Sequence, residues 1–188
     1  MGQQETISLA IAKIIRERSE TGQLIQFEEI FAGLSGQGLL KSEDADHEFQ
    51  FRDILKQTIE KNEDLREISG RDGIPCYYSA QNLTETYARI LLQKEENILS
   101  LVVEIIRENS SIYPRPVPLD IFRESPFDLA QEEILDCLKK MAEEKGYQDI
   151  SQTITSIGTI FLYSTRHLDP DYASSLAEWL DVGQSNNP

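Results

Sequence analysis

Two histidines, two cysteines and one glycine-rich stretch are the residues of this sequence whose types could carry catalysis or ligand binding. Gly33-Leu34-Ser35-Gly36-Gln37-Gly38-Leu39-Leu40-Lys41-Ser42 invites a phosphate-loop reading, because glycines let backbone N–H groups close around an anion. A P-loop needs glycine directly before its lysine, and here Leu39 and Leu40 intervene. A nucleophile elbow needs glycine two places after its serine, and Gln37 stands there. The stretch 33–46 therefore reads as a flexible inter-helix loop. His47, among Glu43, Asp44, Asp46 and Glu48, combines imidazole and carboxylates as a divalent-ion site would. Acidic residues also belong in the first turn of a helix, and no second histidine is near in sequence, so a solvated helix start is the better account. Cys137 lies between Asp136 and Leu138, where negative neighbours raise a thiol pKa and make it a poor nucleophile.

The other candidates are judged through an internal repeat. Ile14-Ile15-Arg16-Glu17, Ser19 and Ile30-Phe31 recur as Ile105-Ile106-Arg107-Glu108, Ser110 and Ile121-Phe122 at a constant offset of 91. Tyr78-Ser79, Leu83, Tyr87-Ala88 and Leu91 recur as Tyr163-Ser164, Leu168, Tyr172-Ala173 and Leu176 at an offset of 85. A period near 90 suits a small domain, so the chain is expected to be a duplication: module one over 1–93, module two over 94–183, and a disordered tail over 184–188. By the second offset Cys76 aligns with Phe161, on a strand face shared with Ile74 and Tyr78, which makes it a core thiol. His167 aligns with Asn82 and marks a polar turn. Tyr78 and Tyr163 could stack a ligand, but a residue present in both copies is more simply packed under a closing helix. No catalytic, cofactor-binding or metal-binding residue is assigned, and no cofactor is expected.

The elements follow from periodicity. Ile7, Ile11, Ile14 and Ile15 keep helical spacing until Ser19, Thr21 and Gly22 end it. A short second helix is predicted over 27–34, and a third carries Phe51, Leu55, Thr58 and Ile59 inward. Gly70-Arg71-Asp72-Gly73 between 65–69 and 74–80 signals a hairpin. Thr84 then caps a closing helix with Tyr87, Ile90 and Leu91. The second half repeats the order, with helices around 101–107, 119–123 and Ile134–Met141, a turn near 156–158, and Asp169-Pro170 opening the last helix. Leu91 and Leu176 are expected on equivalent inward stripes. No glycine or proline interrupts 83–113, so the closing helix of the first module should run into, or abut, the first helix of the second and fix the modules' offset.

Three helices followed by a hairpin resemble the winged-helix fold. The expected class is mainly α with small β-hairpins (α+β), as two tandem winged-helix-like modules. Acidic tandem winged-helix proteins of this size include bacterial segregation and condensation protein B, a protein-binding partner of a chromosome-organising complex. Gly158 to Ser164 loosely resembles its Leu-Tyr strand, while its glycine-rich C-terminal pattern is absent.

Charge separates the function classes. The chain carries 18 basic and 33 acidic side chains, a net of −15, and both halves are anionic. Helix 47–62 balances three cations against three anions, and helix 130–145 has three against five, where a DNA reader concentrates Lys and Arg. Nucleic acid is therefore an unlikely partner. The start of the chain lacks the regions of a signal peptide and no apolar run spans a membrane, so a cytoplasmic address without membrane contact is expected, with both thiols reduced. Gly2 and Thr6 fit the loose myristoylation pattern without the basic cluster that stable anchoring requires, and the glycosylation patterns at Asn82 and Asn109 have no meaning in the cytosol. The expected function is a non-catalytic protein–protein interaction module, an adaptor of a larger transcription or chromosome-associated complex, binding a protein with a basic or apolar patch. A DNA-binding transcriptional regulator is the alternative, and an enzyme the second alternative.

Overall fold

A computed structural model describes residues 2–40 and 45–183, the side chains of 45–48 excepted. Helix α1 (Gln3–Glu20) buries Ile7, Ile11, Ala12, Ile15 and Ser19 along one stripe. Its end is a hydrogen-bonded C-cap: Gly22, at φ +74°, donates to the Ser19 carbonyl, and Gln23 donates to that of Arg18. Strand β1 (Ile25–Gln26) leads into α2 (Phe27–Gly36), where the Glu29 carboxylate accepts the Gln26 N–H at 3.1 Å. Helix α3 (Ala45–Lys61), β2 (Leu65–Ser69), β3 (Pro75–Ser79) and α4 (Glu85–Glu96) follow. The strands form an antiparallel sheet in the order β1-β3-β2.

The chain divides into two compact units, Met1–Leu92 and Gln93–Pro188. In the first, β3 is covered on both faces. Tyr77 enters a core with Ile11, Ile15, Ile30, Leu34 and Phe51, whereas Cys76 and Tyr78 face Leu83, Ala88 and Leu92. Alternation along one strand thus joins two apolar layers.

In the second unit, Asn97 caps α5 (Ile98–Ile112) by accepting the Ser100 N–H at 2.9 Å. After β4 (Val117–Pro118) comes a 3-10 turn, Leu119–Arg123, where the first unit has a ten-residue helix. Helix α6 (Gln131–Glu143), β5 (Ile150–Ile154), β6 (Ile160–Ser164) and α7 (Pro170–Glu178) complete it, the last continuing as a wider π-type turn over Trp179–Gly183. The sheet order is β4-β6-β5. The fold is α+β, predominantly helical with small antiparallel sheets.

Several expectations are revised. Residues 33–36 are not loop: they finish α2, with Leu34 fully buried. Gly38, at φ +70°, donates to Ser35 and Leu39 donates to Leu34, so the glycine serves a helix cap. Of the loop expected over 33–46, Ala45 and Asp46 already belong to α3, while residues 41–44 and the tail over 184–188 lie outside the described residues. Ser19 stays inside α1. Ile25 faces Tyr77 while Val117 faces Leu162, which sets the offset between β1 and β4 at 92, not 91. Buried Ile30 then corresponds to buried Phe122 and not to Ile121. On the closing helices the fully buried positions are Ala88 and Leu92, and Ala173 and Ala177; Leu91 and Leu176 are half-buried.

Candidate functional site

Each unit is pinned by one polar cluster. Arg16 on α1 forms a bidentate ion pair with Asp64, just ahead of β2, with Nε to Oδ2 at 2.8 Å and Nη2 to Oδ1 at 2.7 Å. The Ser79 hydroxyl, at the end of β3, donates to Asp64 Oδ2 at 2.9 Å. The Ser79 N–H donates to the Ser19 hydroxyl at 2.8 Å, and that hydroxyl donates to the Ile15 carbonyl at 2.8 Å. One carboxylate and one hydroxyl therefore tie helix, sheet entry and sheet exit together.

The second unit repeats the ion pair, the serine-to-carboxylate bond and the N–H-to-serine bond with four matching residues. Arg107 reaches Asp149 at 2.9 and 2.5 Å, Ser164 Oγ donates to Asp149 at 2.8 Å, and the Ser164 N–H donates to Ser110 Oγ at 2.9 Å. Arg166 adds a contact to Asp149 at 3.1 Å; in the first unit the matching position is Gln81. The Arg16 guanidinium holds the Asp64 carboxyl down to about 2, assisted by the Ser79 hydroxyl and opposed by burial. Arg107 does the same for Asp149, which also lies at about 2.

A serine beside a carboxylate suggests nucleophile and base. These carboxylates are far too acidic to take a serine proton near neutrality, and their oxygens are already engaged. The arrangement is a structural clamp. Nothing in the composition flags it, but Asp64 and Asp149 are separated by the same 85 residues as the tyrosine-serine pair, and that spacing was the available signal.

The residues singled out in sequence are scattered. Cys76 is buried against the closing helix. Cys137 is buried on α6 and is one of the residues lining a cleft of about 300 Å³, with Lys94, Glu133, Asp136 and Lys140 among the others. Burial first, and Asp136 second, push its thiol pKa up. Lys140 is held by Asp136 at 2.6 Å. His167 is an exposed turn residue whose N–H donates to the Ser164 carbonyl at 3.1 Å. Tyr78 and Tyr163 are buried, the latter against Leu168 and Ala173, and Tyr78 is shifted up chiefly by burial. The His47 side chain lies outside the described residues. Among the described residues no group of His, Cys, Asp and Glu is placed to hold a metal ion.

The hairpin of the second unit carries an exposed apolar pair. Ile154 and Ile157, at its turn, are 59% and 66% exposed. The turn is strapped to the last helix: Thr155 Oγ1 donates to Asp181 at 2.6 Å, and the Ser156 N–H donates to Glu178 at 2.8 Å. The Ser156 hydroxyl also bonds Glu178, and Thr153 meets Ser174 at 3.2 Å.

The chain is thus defined as an α+β protein of two units, each with a three-stranded sheet and an Arg–Asp–Ser clamp. Residues 95–185, within the second unit, match the YdhW C-terminal domain family. Along most of its length the chain is similar to the protein described as "Uncharacterized protein YdhW" of Escherichia coli (strain K12), at 29% identity over 181 residues, covering 95% of this chain and 80% of that protein. No solved structure matches. Among the described residues no helix is long and apolar enough to cross a membrane.

Proposed function

We propose that the two units are copies of one winged-helix module and that the protein is a cytoplasmic, non-catalytic adaptor that binds another protein. Support for the duplication is the shared element order, the shared sheet order with the last strand central, and a clamp of four matching residues. Winged-helix proteins that read DNA present a cationic third helix and wing to phosphates. The observation that carries the adaptor reading is the absence of that charge. Helix α6 carries Lys139 and Lys140 against Glu132, Glu133, Asp136 and Glu143, and one of the lysines is neutralised by Asp136. The hairpin 150–164 has no charged residue at all. Helix α3 carries three cations against four anions and its hairpin two against two, so neither is basic. A partner with an apolar or basic patch fits such surfaces by electrostatic complementarity.

The test is binding of the full chain to a random-sequence duplex pool at ~150 mM salt, where weak phosphate contacts fade. No enriched sequence is expected. Enrichment of one motif with submicromolar affinity replaces the adaptor with a DNA-binding regulator.

A further inference from the structure

Resting on that reading, we infer that the hairpin turn of the second unit is the docking element, and that it takes a protein segment presenting an aliphatic or aromatic side chain flanked by lysine or arginine.

Three observations converge. First, Ile154 and Ile157 are held out to solvent on a turn that is not loose, since Thr155 and Ser156 are fixed to Asp181 and Glu178 of the last helix. An exposed apolar pair on a strapped turn is preorganised for contact, so little ordering entropy opposes binding. The first unit's turn, Gly70-Arg71-Asp72-Gly73, is polar, and Ile74 beside it is less exposed. The apolar tip is therefore not a requirement of this hairpin.

Second, the stretch that carries the turn and its strap is acidic. From Ile150 to Gly183 the only Lys or Arg is Arg166, which is paired with Asp149, while Asp169, Asp171, Glu178 and Asp181 are acidic. The matching stretch of the first unit, which ends at Leu92, carries Arg66, Arg71 and Arg89. Third, Glu178 and Asp181 stand within hydrogen-bond reach of the turn itself, so the apolar tip has carboxylates beside it. That collar disfavours nucleic acid and anionic lipid, and it disfavours a second copy of this chain, which would bring the same carboxylates against themselves. A cation-flanked apolar anchor satisfies both parts of the surface.

Trp179, the sole tryptophan, lies between Glu178 and Asp181 and is 56% exposed, so its emission reports on this end of the unit. The probe is a synthetic amphipathic helical peptide of leucine and lysine, titrated into the full chain, with a leucine–glutamate peptide of equal length as control. The expected result is a saturable shift of Trp179 emission with the cationic peptide only. The double variant Ile154→Ser/Ile157→Ser should bind at least tenfold more weakly with an unchanged melting curve, and Ile74→Ser should bind as the parent does. Equal binding by the double variant, binding of the acidic peptide, absence of any saturable shift, or self-association that the double variant abolishes each overturns the inference. Specific duplex binding in the earlier assay would sink the adaptor reading whatever these titrations show, so the two failures are distinguishable.

Discussion

Replacing Asp149 by alanine isolates the clamp. The carboxylate, only 6% exposed, accepts two bonds from Arg107, one from the Ser164 hydroxyl and a further contact from Arg166. Its removal takes from the Arg107 guanidinium, itself mostly covered, its charged partner and leaves it only the Gly146 carbonyl at 2.9 Å, while the buried Ser164 hydroxyl loses its acceptor. Breaking one side of such a buried pair costs about 3–5 kcal/mol, and a domain has only about 5–15 kcal/mol in total. Asp149→Ala should therefore bring the second unit near the edge of folding. Arg107→Met should cost less, because Arg166 and Ser164 still satisfy the carboxylate. The double variant Arg107→Met/Asp149→Ala should cost less than the sum of the singles by at least ~1 kcal/mol, since the second change removes the group that the first stranded. Urea unfolding followed by circular dichroism measures all three. A loss under ~1 kcal/mol for Asp149→Ala, or strict additivity within ~0.5 kcal/mol, would refute the claim that these groups act as one unit.

Acid should destabilise both units through the same carboxylates. Asp64 and Asp149 fall from 3.8 to about 2 on folding, so the stabilisation they give is complete above pH ~4 and is lost as pH falls from there through about 2. At ~1.4 kcal/mol per pH unit, less some solvent screening, each contributes about 2 kcal/mol, and urea midpoints between pH 7 and 2 should show a drop that Asp64→Asn/Asp149→Asn flattens. Ser19→Ala and Ser110→Ala each strand a buried backbone N–H, of Ser79 and Ser164 respectively, and should lower stability by about 1–3 kcal/mol in thermal melts; no loss in either would remove the hydroxyl from the clamp. Leu92→Asp, at a buried position, should cost several kcal/mol, and half-buried Leu91→Asp about half as much; equal melting temperatures would contradict the packing of α4.

The helices and hairpins were legible because their signals are local. The isoleucine spacing of α1, the glycines of the two turns and the caps at Thr84 and Asp169 each act within a few residues, and Thr84 and Asp169 do accept N–H groups of their helices. Strands β1 and β4 escaped because two residues cannot show alternation. The extension of α2 to Gly36 escaped because glycine and serine look like loop, while buried Leu34 and the cap at Gly38 outweigh their weak propensity. Ser19 looked like a stop signal and is instead a bridge to Ser79, a partner 60 residues away. The hairpin's strap to the last helix was equally hidden, since Thr155 and Asp181 are 26 residues apart and neither has an unusual neighbourhood in sequence.

What differs between the two units is more informative about function than what they share. The clamp residues match because each unit must hold its first helix against its sheet, and a bidentate arginine with a serine-capped carboxylate does this with no buried side-chain polar atom left unpartnered among the described residues. Had the hairpin turns been under the same demand, they would match as well. Instead the first carries Arg71 and Asp72 between glycines, and the second carries Ile157 on a turn tied to carboxylates. Exposing large aliphatic groups forgoes about 25 cal/mol for each Å² left in water, so a turn that keeps two of them outside while hydrogen bonds hold them there gains nothing for its own core, and that cost is the ground for proposing this turn as the docking element.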